Sequence, residues 1–143
     1  NKKVYALIGD GSVPMNVQEL ETIKNYNVNS VIIVLNNQGY GLIKQTQETW
    51  LKSVYAGTDK SSGLSLPNNV KIASSYGIKS FILKNNDDVK KNIKKILNSK
   101  GPILVDVLID PKSRVKPKIE YGKPLENMYP YIDKSKLKEI MKK

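Results

Sequence analysis

Val4-Tyr5-Ala6-Leu7-Ile8-Gly9-Asp10-Gly11-Ser12 is an apolar run that ends abruptly in small and polar residues. Val31-Ile32-Ile33-Val34-Leu35-Asn36-Asn37 has the same design, and Asn37 stands 27 positions after Asp10. Apolar, partly β-branched runs of this length read as strands buried on both faces, the kind found in parallel sheets. Between them, Val17, Leu20, Ile23 and Tyr26 form a stripe near helical period, and Asn16 with Glu19 has the composition of a capping box. A strand, a helix and a strand would set Asp10 and Asn37 side by side at the carboxyl ends of neighbouring strands. Open parallel sheets bind their ligands at that end.

The rest of the chain continues the alternation. Asn36-Asn37-Gln38-Gly39-Tyr40-Gly41 is a loop, and a helix is expected from about Leu42 to Tyr55, with Leu42, Ile43, Trp50, Leu51 and Val54 as its apolar residues. Residues 57–67, rich in Gly, Ser, Thr and Asp, read as a mobile loop. Asn68 or Asn69 is expected to cap a short helix through Tyr76, with Gly77 as its stop. A third strand over Lys79–Leu83, a helix capped by Asn86 and running to about Asn98, and a fourth strand over Ile103–Ile109 follow. In the helix Val89, Ile93, Ile96 and Leu97 are the expected buried residues. Asp106 interrupts the last strand, either as a hydrogen-bonded group near the crevice or because the strand lies at an edge. The pattern predicts an α/β fold, a parallel sheet flanked by helices, with right-handed crossovers. After Asp110-Pro111 the periodicity stops. Residues 112–143 are expected to form an irregular, Pro-containing tail packed on the domain formed by 1–111, through Ile119, Tyr121, Leu125, Met128, Tyr129 and Tyr131, and to close with a short basic helix capped by Asp133.

Composition narrows the chemistry. The chain has 143 residues, enough for one sizeable core. It contains no cysteine and no histidine. Disulfides, thiolate sites, imidazole-ligated zinc and His-dependent triads are thereby excluded, and any metal must be held by oxygen. No run approaches the roughly 20 apolar residues of a membrane span, and no signal peptide pattern opens the chain. A cytoplasmic location without membrane contact is expected. The net charge of +11 raises the reading of a basic nucleic-acid-binding domain. Against it, the basic residues are spread along the chain and all but Arg114 are lysines, whereas base and phosphate readers favour the arginine fork. The abrupt opening strand is expected of a segment cut from a longer protein.

Asp10 supplies a carboxylate and Asn37 an amide oxygen, ligands suited to a hard divalent cation such as magnesium, which shares its sites with substrate phosphates. Gly11 and Ser12, leading to a helix start at Asn16, are expected to present free backbone N–H groups and a hydroxyl to an anion. Gly39 can offer a carbonyl with no side chain in the way. The joint reading is a diphosphate clamped by magnesium.

Gly9-Asp10-Gly11-Ser12-x-x-Met15-Asn16-x-Gln18-Glu19-Leu20, followed by Leu35-Asn36-Asn37-Gln38-Gly39-Tyr40-Gly41, resembles the cofactor signature of thiamine-diphosphate-dependent enzymes, in their acetolactate synthase-like group. Gly101-Pro102 leading to Val105-Asp106-Val107 and Asp110-Pro111 resembles that group's last core strand, so the likeness covers residues 3 to 111. The tail resembles acetolactate-synthase-like proteins of surface-polysaccharide gene clusters. The resemblance implies a Rossmann-like three-layer fold, the pyrophosphate-binding domain without its beginning. It implies metal binding through Asp10, Asn37 and the Gly39 carbonyl, and diphosphate contacts from Gly11 and Ser12. Tyr40, Gly41 and Leu42 would lie along the cofactor, and Met15 behind the diphosphate loop, there either as a contact or as core packing. The implied cofactors are thiamine diphosphate and Mg2+. FAD, which some relatives bind in a middle domain, is not implied by these residues.

The implied reaction is decarboxylation of a 2-keto acid and transfer of the remainder, a transferase or lyase activity carried by the cofactor. The implied assembly is a homodimer or homotetramer with the active site between subunits. The glutamate that activates the cofactor belongs to a domain outside this stretch, so no catalytic residue is expected here and the isolated fragment should be inactive. Thr46 stands where acetohydroxyacid synthases carry a tryptophan that shapes the acceptor pocket, so the branched-chain biosynthetic substrate is not implied. Trp50, one turn on, reads as a core residue. The competing reading is a non-catalytic structural or regulatory relative, which would have no need for intact Asp10 and Asn37.

Overall fold

The computed structural model describes residues 2–142. Residues 1–113 and 114–143 form two compact units. The first holds four parallel strands, β1 (Val4–Gly9), β2 (Ser30–Asn36), β3 (Lys79–Leu83) and β4 (Ile103–Leu108), in the order β1-β2-β4-β3. Its helices are α1 (Glu19–Asn25), α2 (Gly41–Trp50), α3 (Asn69–Ser75) and α4 (Asn86–Leu97).

The sheet has an apolar layer on each face, as the continuous apolar runs require. On one face Ile32, Val34 and Leu104 pack with Leu20 of α1, with Ala73 of α3 and with Ile78. On the other, Val31, Ile103 and Val105 pack with Leu83 and with Ile96 of α4. Val31, Val34, Ile103 and Leu104 are essentially sealed from water. Each such side chain contributes about 1.5–3 kcal/mol relative to an exposed one, so the two central strands, β2 and β4, anchor the unit. In α4 only Ile96 of the four expected residues is buried; Val89 packs against it half-buried, and Ile93 and Leu97 remain exposed.

Helix ends explain where the sequence pattern was followed and where it was not. Asn68 caps α3 by accepting from the Lys71 N–H, and Gly77, at φ 67°, ends it. Asn85, one residue before the expected Asn86, caps α4 through the Asp88 N–H. The expected Asn16–Glu19 box does not form. Ser12, Val17 and Gln18 all have right-handed helical dihedrals, and Val13–Asn16 is a 3-10 turn leading directly toward α1. An N-cap needs extended backbone, and Asn16 lies inside the helical path. Helix α2 departs further from expectation. Leu42, Ile43, Trp50, Leu51 and Val54 are each at least half exposed, so Trp50 is not a core residue here.

In the second unit Lys118 and Tyr129 exchange backbone hydrogen bonds, and Tyr129 and Tyr131 meet edge to face at 5.9 Å. Helix α5 (Lys134–Met141) is capped by Asp133, which accepts from the N–H groups of Ser135 and Lys136. Among the described residues no helix is long and apolar enough to cross a membrane.

Candidate cofactor site

The carboxyl ends of β1 and β2 are neighbours, with Ile8 opposite Val34 and Gly9 opposite Leu35. This pairing brings Asp10 and the Asn36–Gly41 loop together. Asp10 is 3% exposed, and both carboxylate oxygens are engaged: the Gly11 N–H donates to Oδ1 at 2.9 Å and the Gly39 N–H to Oδ2 at 3.1 Å. Burial pushes the Asp10 carboxyl above the usual carboxylate range, against the pull of the N–H groups of Gly39, Gly11 and Gln38. A buried carboxylate under that desolvation is stabilised by a nearby cation.

Asn37 lines the same cleft as Asp10. Its Oδ1 is buried and accepts no hydrogen bond. The Oδ1 atoms of Asn29, Asn69 and Asn127 are likewise buried and unpaired, and Asn37 differs from them in lining the cleft with Asp10. Three glycines make this packing possible by having no Cβ. At Gly41 a Cβ would stand 2.4 Å from Asn37 Nδ2; at Gly39, 2.2 Å from the Thr58 carbonyl oxygen; at Gly11, 2.2 Å from the Tyr40 ring. Each glycine is there because another group occupies its side-chain space.

Asp10, Gly11, Ser12, Asn37, Gly39, Tyr40, Gly41 and Leu42 all line one cleft of about 340 Å3. Met15 does not line it and is 66% exposed, which removes core packing as its role. The amides of Gly11 and Ser12 are not free as expected. Gly11 N–H is held by Asp10, and Ser12 N–H closes a tight turn on the Gly9 carbonyl at 3.0 Å. The Ser12 hydroxyl makes no cap bond to the turn that follows. Among the described residues no three Asp, Glu, His or Cys side chains converge as a metal site.

Two supporting networks complete the surroundings, and of their members only Asp106 is read from the sequence as a group that could be hydrogen-bonded near the crevice. The first crosses the sheet beneath the loop. Asp106 is 6% exposed on β4, between β2 and β3, and accepts from Asn36 Nδ2 at 3.0 and 3.2 Å and from Asn69 Nδ2 at 3.4 Å. Asn36 Oδ1 in turn accepts the N–H of Gln38, which holds φ 61°. Asp106 is therefore the hydrogen-bonded group near the crevice, on an interior strand. The second network ties down the segment read as mobile. Tyr40 N–H donates to the Thr58 carbonyl at 2.9 Å, Thr58 Oγ1 donates to Gln47 Oε1 at 3.2 Å, and Lys44 pairs with Asp59. Lys44, followed by Ser61 and Ser62, holds the Asp59 carboxyl far below its usual range. Asp59 and Ser62 form a reciprocal capping box around a short 3-10 turn.

Comparison with known proteins shows the family to which the chain belongs. The family model described as thiamine pyrophosphate enzyme, C-terminal TPP binding domain, matches residues 1–107. The acetolactate synthase large subunit of Cyanidium caldarium is 33% identical over 128 residues, covering 90% of this chain and 22% of that protein. The mitochondrial acetolactate synthase of Schizosaccharomyces pombe is 34% identical over 85% of this chain and 18% of its own length. The acetolactate synthase isozyme 2 large subunit of Escherichia coli K12 is 34% identical over 85% of this chain and 22% of its length. The chain thus spans about a fifth of these relatives. By the extent of the domain match and the identity to these relatives, the chain belongs to the thiamine pyrophosphate enzyme family, in its acetolactate synthase-like C-terminal domain.

Proposed function

We propose that this chain is the part of a 2-keto acid decarboxylase or carboligase that holds magnesium and the diphosphate of thiamine diphosphate. The observation that carries the reading is the buried, unpaired Asn37 Oδ1 of a residue lining the same cleft as the buried Asp10. Asp10, Asn37 and the Gly39 carbonyl would hold the metal, and the Ser12 hydroxyl with the Gly11 turn would meet the diphosphate. Tyr40, Gly41 and Leu42 would border the rest of the cofactor. When bound, thiamine diphosphate supplies the nucleophilic carbon and the electron sink for decarboxylation. The residues here do the holding. Asp10 is kept in place by two N–H donors, and its desolvated charge favours a divalent cation. Gly41 leaves room for the Asn37 amide, whose Nδ2 occupies the space that a Cβ would take.

The whole protein would act as a homodimer or homotetramer on a 2-keto acid, with further active-site groups supplied from outside this chain. Calorimetry with thiamine diphosphate and magnesium, on the longest native polypeptide that carries these residues, tests the reading. Saturable, magnesium-dependent heat that disappears in Asn37→Ala is expected. No heat at cofactor concentrations that saturate acetolactate synthases would favour a non-catalytic relative.

A further inference from the structure

The end of the sheet opposite Asp10 carries another cleft, of about 410 Å3, where β3 and β4 begin and α4 ends. Lys79, Lys94, Lys95 and Lys100 line it with Asn98 and Ser99, and none of its lining residues is acidic. Two of the lysines approach one aromatic ring. The ammonium groups of Lys79 and Lys95 stand 5.8 and 5.7 Å from the centroid of the Phe81 ring. Among the described residues none of the four lysines is ion-paired with a carboxylate.

The ordinary use of lysines at a helix end is to oppose the negative pole of the helix. At α4 another residue does that: Lys3 Nζ donates to the carbonyls of Leu97 and Ser99 at 2.6 and 2.7 Å. The Phe81 quadrupole offers only weak attraction to the charges beside it. Four like charges around one concavity repel each other, and a multivalent anion relieves that repulsion. Ammonium groups act on phosphate oxygens as compact point charges, and the cleft volume lies in the range of small-ligand pockets. We propose that this cleft binds a small polyphosphate anion, either free or as the tail of a nucleotide. With no carboxylate in the lining, it needs no metal to do so.

The test is an NMR titration of the 143-residue chain with inorganic triphosphate and, separately, with ATP, without divalent metal, at two salt concentrations. Saturable shifts centred on the amides of Phe81, Ser99 and Lys100, weakening with salt, are expected. If triphosphate and ATP bind alike, the phosphates alone are recognised; tighter ATP binding would mark the nucleotide as the ligand. Lys79→Gln/Lys95→Gln should weaken binding by about tenfold or more, the loss of charge-assisted contacts. Lys71→Gln/Lys91→Gln removes the same charge from exposed positions outside the cleft and should change affinity by less than about twofold. Lys94→Gln/Lys100→Gln, at exposed positions, repeats the test should the first pair disturb folding, which the dispersion of the same spectra reports. Equal weakening by the cleft and control pairs, shifts centred on Gly11 and Ser12, or absence of saturation would overturn the proposal. So would binding of a single-stranded oligonucleotide at the cleft with none of triphosphate.

Discussion

At the scale of single residues the candidate site is a matter of where side chains are missing. Gly41→Ala is the sharpest case. The new Cβ would stand 2.4 Å from Asn37 Nδ2, at the first position of α2. Alanine has the better helix propensity by up to about 1 kcal/mol, so the melting temperature should hold or rise. The Asn37 amide must move aside, and magnesium-dependent cofactor affinity should fall by about tenfold or more, the loss of one hydrogen-bond-strength contact to a charge. Calorimetry alongside thermal melting separates the two effects. Gly39→Ala should behave differently. There the clash, at 2.2 Å, is with the backbone oxygen of Thr58, which cannot rotate away. The 58–62 segment would have to lift, costing about 1–3 kcal/mol as overpacking does, and the melting temperature should drop. The sequence showed Asp10, Asn37 and the glycines because strand ends and small residues are local signals. It did not show Thr58 or Gln47, because an unremarkable Thr in a polar stretch becomes a brace only when a distant helix presents Gln47 to it.

At the scale of elements, helix ends decide most outcomes. Asn85→Ala should destabilise the first unit by about 1 kcal/mol, the usual worth of an N-cap, while Asn86→Ala, one position on, should be close to neutral because its side chain makes no cap bond. Urea melts of the pair check the register of α4. The sequence offered Asn85, Asn86 and Asp87 in succession, and composition alone does not choose among adjacent capping residues. The Asn16–Glu19 box was legible and wrong for a different reason: capping needs a bend in the chain that residues 12–18 do not make.

Helix α5 gives a pH test at the same scale. The bond from the Ser135 hydroxyl, then the N–H groups of Ser135 and Lys136, hold the Asp133 carboxyl below its ordinary 3.8. A depressed folded value means that the cap's contribution is complete above the unfolded value and is lost as pH falls through the folded one. The amide signals of α5 should therefore stay protected from exchange at pH 5 and lose protection below about pH 3.8, the ordinary carboxyl value. Asp133→Asn should remove that pH dependence.

At the scale of the whole molecule, two features pull against each other. The apolar side chains of α2 stand in water, and the edge strand β1 exposes Val4, Tyr5 and Leu7 to 54%, 45% and 66%. An edge strand with exposed apolar residues is a template for pairing, and exposed apolar patches of this kind mark contact surfaces. A net charge of +11 opposes any such contact between copies of the chain by mutual repulsion. Repulsion between exposed charges is screened with a Debye length that shrinks to about 3 Å at 1 M salt, whereas apolar attraction is not weakened. The isolated chain should therefore be monomeric at low ionic strength and associate progressively as sodium chloride is raised, as read by light scattering. Substituting Val4 and Leu7 of the edge with lysine, the residue that natural edges use against pairing, should abolish the association. Association that instead weakens with salt would show that ionic contacts join the copies and that the apolar edge and α2 face are not what meets. Neither state should turn over pyruvate, since the function proposed for the Asp10 cleft is to hold the cofactor and not to activate it; measurable carbon dioxide release by the isolated chain would contradict this proposed division between holding and activating.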